Sequence, residues 1–270
     1  MDRISLIELS KKPLKLLENR VWRTYTGGKL IDEWKGKSNP SDGEYPEEWI
    51  ASTVRAKNVG REHIKDEGLS KLCLEDGNKI TLQEVISSDP GLFLGKKHDE
   101  KYGANPAVLV KILDSAERLA IQVHPDKEFA KKEFNTKFGK TEAWYILGGR
   151  RINGVDPYVL LGFKEGVSRE LWRDLFLKQD REGMIDCLHK IAVKPGDVFL
   201  INGGLPHAIG SGCFLIEIQE PTDYTLRVER TTPAGYRVPD SACHQGLGFD
   251  KLFNCFNYET ASYEENISRW

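Results

Sequence analysis

Short apolar runs cut by glycine, proline and asparagine constrain this chain more than any other feature of it. "RVWRTY" and "EEWIAST" lie near the start. "PAVLVKILD" (106–114), "RLAIQVH" (118–124), "TEAWYIL" (141–147), "GDVFLIN" (196–202) and "CFLIEIQ" (213–219) follow, each of strand length and too short for an ordinary helix. Many short strands separated by turns must stack into a sandwich or close into a barrel. The clearest exception is the stretch 166–193, where Ser168 is placed to cap a helix striped by Leu171, Trp172, Leu175 and Phe176. Gly183 predicts a break there, with a second helix carrying Met184, Ile185 and Leu188. Thr81 and Glu84 predict a capping box on a shorter helix that ends at Asp89-Pro90-Gly91. The expectation is a mainly β chain with helical insertions, read as one module over 1–270. Strands fall roughly at 13–60 and 106–165, a helical insertion at 166–190, further strands at 196–230, and a weakly patterned tail at 231–270.

Charge and cysteine usage narrow the function classes. The 270 residues hold 39 Lys and Arg against 41 Asp and Glu, a net −2, so the basic surplus of a nucleic-acid binder is missing. Any anionic ligand must be met by a local group of cations. The five cysteines are odd in number and form no C-x-x-C, which argues against a disulfide framework and against a thiolate zinc site. The sequence shows no signal-peptide core and no apolar run of membrane-spanning length. These features predict a cytoplasmic protein whose partner is a small molecule, with no nucleic acid, membrane or protein partner implied.

Three places concentrate metal-ligand chemistry. In "RLAIQVHPDKEFA", Gln122 and His124 stand two apart and so share a strand face, and Pro125 stops the ladder just beyond them. Alone, a strand histidine is more often hydrogen-bonded within the structure than bound to metal. Glu142 opens an otherwise apolar run, where a carboxylate at a solvated strand end is the plain explanation. His207 ends "GDVFLINGGLPH", and its spacing from Gly196 and Gly204 resembles the second metal-binding motif of cupins, with Asn202 and Ser211 departing from the usual proline and asparagine. Together, two imidazoles, one carboxylate and one amide oxygen suit a borderline divalent ion such as zinc. His63, His98, His189 and His244 have no partner at ligand spacing.

"LVKILDSAERLAIQVHPDKEFA", "GKTEAWYIL" and "GDVFLINGGLPHAIGSGCFLIEIQEPTDYTLRV" resemble, in order, the hallmark blocks of the type I mannose-6-phosphate isomerases. The resemblance extends more loosely from about residue 27 to about 250. It implies a cupin-type jelly-roll β-barrel or sandwich and a single zinc per chain held by Gln122, His124, Glu142 and His207. It implies interconversion of mannose 6-phosphate and fructose 6-phosphate through an enediol or enediolate. Arg227 and Glu217 would line the catalytic pocket, Lys140 would handle the proton, and Lys111 would lie near the substrate phosphate. Either Lys140 or Glu217 can be the base. Gly139 stands where some members carry histidine, and Ala120 where some carry a phosphate-binding serine, which brings Lys127 or Arg230 forward as substitutes. Two rival readings stand beside the isomerase: a metal-containing binder of sugar phosphates without turnover, and a cupin dioxygenase. The glutamine ligand and the small number of histidines count against the dioxygenase. The two-faced runs 213–219 and 225–229, with Glu217, Gln219, Thr225, Arg227 and Glu229 opposite the apolar residues, fit a barrel with one polar face or a sandwich with one solvated face.

Overall fold

The computed structural model describes residues 3–74 and 76–269, so Met1, Asp2, Glu75 and Trp270 of the expected module lie outside the described residues. Two six-stranded sheets dominate. The first runs Arg20–Val21, Glu47–Ile50, Leu109–Asp114, Cys213–Gln219, Glu142–Gly149 and Val198–Ile201 in spatial order. The second runs Leu226–Arg227, Gln122–Val123, His207–Ile209, Tyr158–Lys164 and Thr260–Ala261, with Leu188–Ala192 also pairing with Tyr158–Lys164. All of these pairings are antiparallel except the one made by Thr260–Ala261.

The second sheet carries apolar side chains on both faces because it is covered on both. One face sends Val159, Leu161 and Ile209 against Leu113, Trp144, Ile146 and Leu215 of the first sheet. The other face sends Ile121, Leu160, Phe163, Ala208 and Leu226 against Trp172, Phe176, Met184 and Phe253 from the helices. Burial of such aromatic and branched side chains contributes about 1.5–3 kcal/mol each relative to exposure.

The expected cap at Ser168 is present: its hydroxyl accepts from Leu171 N at 3.2 Å and opens the helix Arg169–Lys178. Leu171 itself faces outward, while Trp172 and Phe176 carry the buried face. The break expected at Gly183 falls earlier. Gln179 takes the left-handed conformation (φ 50°) and Asp180 caps the next helix, Arg181–Asp186, by accepting from Gly183 N. The capping box of Thr81 and Glu84 forms as expected.

Two strands depart from their sequence pattern. Regular pairing in "RLAIQVH" is confined to Gln122–Val123, because the Glu229 carboxylate takes the Ile121 N–H at 2.8 Å in place of a strand carbonyl. Arg118 holds that carboxylate through two bonds of 2.6 and 3.0 Å. In Cys213–Gln219 the polar face is the inner one: Glu217 and Gln219 are buried, while Ile218 on the outer face is 48% exposed. A merely solvated polar face is therefore excluded for this strand. Its polar residues point between the sheets, where Glu217 pairs with Lys111 and Gln219 donates to the Glu220 and Thr222 carbonyls.

Candidate active site

Strand register assembles the site. In the second sheet, Arg227 pairs with Gln122, Gln122 with His207, and His207 with Leu161, which lies in the core between the sheets. Residues opposite one another share a face, so Arg227, Gln122 and His207 form one inward row. In the first sheet, Trp49, Lys111, Glu217 and Trp144 form a facing row, and Gln219 pairs with Glu142 in the next one along.

His124 follows directly on the strand Gln122–Val123, and its carbonyl accepts from Gly204 N at 2.8 Å. Gly204 has φ 87°, a left-handed turn that favours glycine and brings the chain round to His207. Beyond Pro125, Asp126 caps the helix Lys127–Phe134. The Pro125 carbonyl accepts from Lys140 N at 2.8 Å. That contact requires a glycine at 139, since a Cβ there would lie 2.6 Å from the Pro125 oxygen. A histidine therefore has no room at this position.

His124, Glu142 and His207 come together as buried groups, each offering a donor atom within 4.8 Å of the others. His124 Nδ1 donates to the Tyr224 carbonyl at 2.9 Å and His207 Nδ1 to the Leu205 carbonyl at 2.8 Å. Each neutral ring is thereby fixed with a bare Nε2 pointing inward. The two Nε2 atoms are 3.2 Å apart, and they lie 3.3 and 3.6 Å from the Glu142 oxygens. Ligands about 2.0–2.1 Å from a tetrahedral ion are about 3.3 Å from each other, so the three donors fit a zinc-sized ion. The Gln122 amide nitrogen lies 3.3 Å from His207 Nε2, beside the three-residue cluster.

The electrostatics agree with that chemistry. Burial, reinforced by the Lys140 ammonium, brings the His124 imidazole down to about 3, and burial lowers His207 as well. Burial opposes the charge on Glu142, yet Lys140 and the imidazoles hold its carboxyl well below the usual range. Lys140 Nζ touches His124 Nε2 at 2.7 Å and Glu142 Oε2 at 2.9 Å.

A cavity of about 520 Å³ opens beside this cluster, and Gln122, Lys140, Lys111, Glu217 and Arg227 all line it. Glu217 is pushed up by burial and by repulsion from Glu142, against the pull of Lys111. Lys111 is not a free cation: it bonds Glu217 at 2.7 Å and lies 3.9 Å from Glu47. Arg227 donates only to the carbonyls of Thr225 and Ala242, with no carboxylate partner among the described residues, and burial lowers its pKa. Of the two substitutes considered for a phosphate contact, Lys127 is 71% exposed and pairs with Glu220, and Arg230 pairs with Asp240 over the Phe176 and Phe249 rings. Neither lines the cavity, so both expectations are corrected. His63, His98, His189 and His244 lie outside the cluster, as expected.

Sequence reasoning missed a buried charge network on the cavity wall. Arg23 bonds Asp223 at 3.1 and 3.2 Å and Glu47 at 3.0 Å, and Glu47 also accepts from Tyr25 and from the Trp49 indole, each at 2.7 Å. Glu47 and Trp49 are two apart on one strand, a signal present in "PEEWIAST". Nothing local marks Arg23 or Asp223, which lie 200 residues apart. Burial opposes the charge on Asp223, but Arg23 and Lys111 hold its carboxyl far below the ordinary value. A depressed carboxylate contributes stability that is complete above its unfolded value of about 3.9 and is lost as pH falls toward the folded value. Denaturant unfolding at pH 7 and pH 3 should therefore show a smaller acid loss in Asp223→Asn than in the wild type. An equal loss in both proteins rejects this role.

Two sheets with an apolar core between them, flanked by helices rather than forming the mainly β chain expected, enclose a two-histidine, one-carboxylate pocket and define a protein of strands and helices with a candidate divalent-metal site. Comparison with known proteins then narrows the class: residues 15–141 match the family model for phosphomannose isomerase type I, catalytic domain. The chain is 36% identical over 149 residues to the mannose-6-phosphate isomerase ManA of Bacillus subtilis and 36% identical over 157 residues to a mannose-6-phosphate isomerase of Streptococcus mutans. These matches cover 55% and 57% of this chain but only 43% and 47% of the relatives, so the chain spans less than half the length of the curated relatives it matches. The crystal structure of the B. subtilis mannose 6-phosphate isomerase superposes with a TM-score of 0.68 at 26% identity, covering 93% of this chain and 70% of that one. Over these stretches the chain is similar to the type I phosphomannose isomerases, in line with the resemblance that its motifs carry. Among the described residues no helix is long and apolar enough to cross a membrane.

Proposed function

We propose that this chain is a zinc-dependent aldose–ketose isomerase that interconverts mannose 6-phosphate and fructose 6-phosphate in the cytoplasm. Residues 1–270 are read as a cupin-type jelly-roll module acting on a small-molecule sugar phosphate. The observation that carries the reading is the pair of bare imidazole nitrogens 3.2 Å apart beside a buried carboxylate, at the edge of a sugar-sized cavity. Facing lone pairs at that distance repel, and a divalent cation relieves the repulsion. Gln122, His124, Glu142 and His207 are the residues that would hold it. A zinc ion in such a site supplies Lewis-acid polarisation of a substrate oxygen beside the C–H that must ionise, or orders a water there.

The remaining work belongs to side chains of the cavity wall. The reaction breaks a C2–H bond and forms a C1–H bond on the same carbon skeleton, while the carbonyl moves from C1 to C2 as a proton leaves O2 and one is gained at O1. One base can therefore take up and return the proton. Lys140 and Glu217 both line the cavity and both are buried. Lys111 keeps Glu217 oriented through its 2.7 Å bond, so its charge serves the carboxylate rather than a phosphate. Arg227 offers a fixed positive charge to the developing enediolate without reorganisation.

The test is a coupled assay of the purified protein with each of the two sugar phosphates. Conversion should be lost on chelation and restored by zinc. Zinc and sugar-phosphate binding without conversion would give the site to a non-catalytic binder instead.

A further inference from the structure

The cavity wall holds more positive charge than the reaction needs. Arg55, Lys57 and Lys65, from the segment after the strand Glu47–Ile50, line the same cavity as Arg227 and Glu217. Among the described residues none of the three side chains has a carboxylate partner, although the chain as a whole carries a net −2. Apart from Arg227, which donates to the backbone carbonyls of Thr225 and Ala242, the other cations of the wall are committed: Arg23 to Asp223 and Glu47, Lys111 to Glu217, Lys140 to Glu142, and Arg61 to Glu67. Unpaired cations gathered on a concave wall favour an anion.

Lys57 is the best placed of them. Its backbone N–H donates to Asp223 Oδ2 at 2.7 Å, which ties this segment to the buried Arg23 network. Its ammonium sits 3.6 Å from the centroid of the Tyr224 ring, and Phe134 stacks against Tyr224 at 4.0 Å. A cation over a ring face keeps its outward N–H donors free. The carbonyl of the same Tyr224 fixes His124, so Lys57 is held at a set position relative to the metal cluster. Arg55, two residues earlier in this extended segment, adds a guanidinium with the fork geometry that suits phosphate oxygens.

We infer that Lys57 and Arg55 form the subsite for the phosphate monoester of the substrate. This deepens the isomerase reading and rests on it for the identity of the rest of the ligand. The phosphate interaction itself is independent of turnover. Both side chains are exposed, so their removal should leave the fold and the zinc content unchanged.

The experiment uses the zinc-loaded full chain. In the Lys57→Ala/Arg55→Ala double variant, calorimetric affinity for inorganic phosphate should fall about 10- to 100-fold. KM for mannose 6-phosphate should rise by a similar factor, while kcat stays within about threefold, as expected for lost uniform binding. Lys57→Arg should retain most of the affinity. A double variant that binds phosphate as tightly as the wild type overturns the inference, and so does a wild-type protein that binds no phosphate. Should the wild type bind phosphate through these residues and turn nothing over, the isomerase reading fails while the subsite stands. Turnover with an unchanged KM in the double variant overturns the subsite and leaves the isomerase reading intact.

Discussion

His124→Ala should empty the metal site and reduce kcat/KM for mannose 6-phosphate by more than about 1000-fold, a barrier change of about 4 kcal/mol. The imidazole supplies one of three donors that lie 3.2 to 3.6 Å from one another, and its removal leaves one nitrogen, one carboxylate and a weak amide. Two strong donors hold zinc far less tightly than three, and no other histidine is near enough to replace the lost one. Metal-free stability should fall as well, because the buried ring's bonds to the Tyr224 carbonyl and to Lys140 are lost and a cavity is left, so zinc content is compared on folded protein. Zinc per chain, measured after dialysis, should fall from about one to below about 0.1. Near-stoichiometric zinc in the variant would remove His124 from the ligand set.

The metal cluster was legible in the sequence because strand parity needs only local spacing. His124 follows directly on its strand, Glu142 begins its own, and His207 follows a glycine turn; the fold brings these three donor groups together, with the Gln122 side chain beside them. Strand parity alone left the inward turn of Glu217 open, because a polar face looks the same from sequence whether it meets water or a cavity, and only the family resemblance pointed it into the pocket. Pairing decides the matter: Glu217 lies opposite Lys111 on one side and Trp144 on the other, and both of those are buried. The cationic segment was hidden for a different reason. Arg55, Lys57 and Lys65 read as an ordinary charged loop, and only the fold of the chain over Asp223 and Tyr224 turns them toward the site. Helix capping was legible at Thr81 and Ser168 because the partners lie three residues away, whereas the break near Gly183 was misplaced. There a left-handed glutamine followed by a capping aspartate ends one helix and begins the next, and the glycine is simply carried inside the second.

Lys140→Met should separate proton transfer from metal holding. The ammonium touches His124 Nε2 at 2.7 Å and Glu142 Oε2 at 2.9 Å, so it presses on the same lone pairs that a metal would use. It is a rival for those donors, not a donor itself. Methionine keeps most of the side chain's length and bulk while removing the charge and the exchangeable protons. Zinc content should therefore stay near one per chain. If Lys140 carries the proton between C2 and C1, kcat should fall about 100- to 10,000-fold, the usual contribution of a positioned base. A variant that loses zinc and activity in parallel would make Lys140 a support for the ligands. Near-normal turnover would pass the proton to Glu217, whose carboxyl is already raised by burial and by Glu142 and is held in place by Lys111. In that event Glu217→Gln should show the large loss in kcat with zinc retained, and the two variants together assign the base.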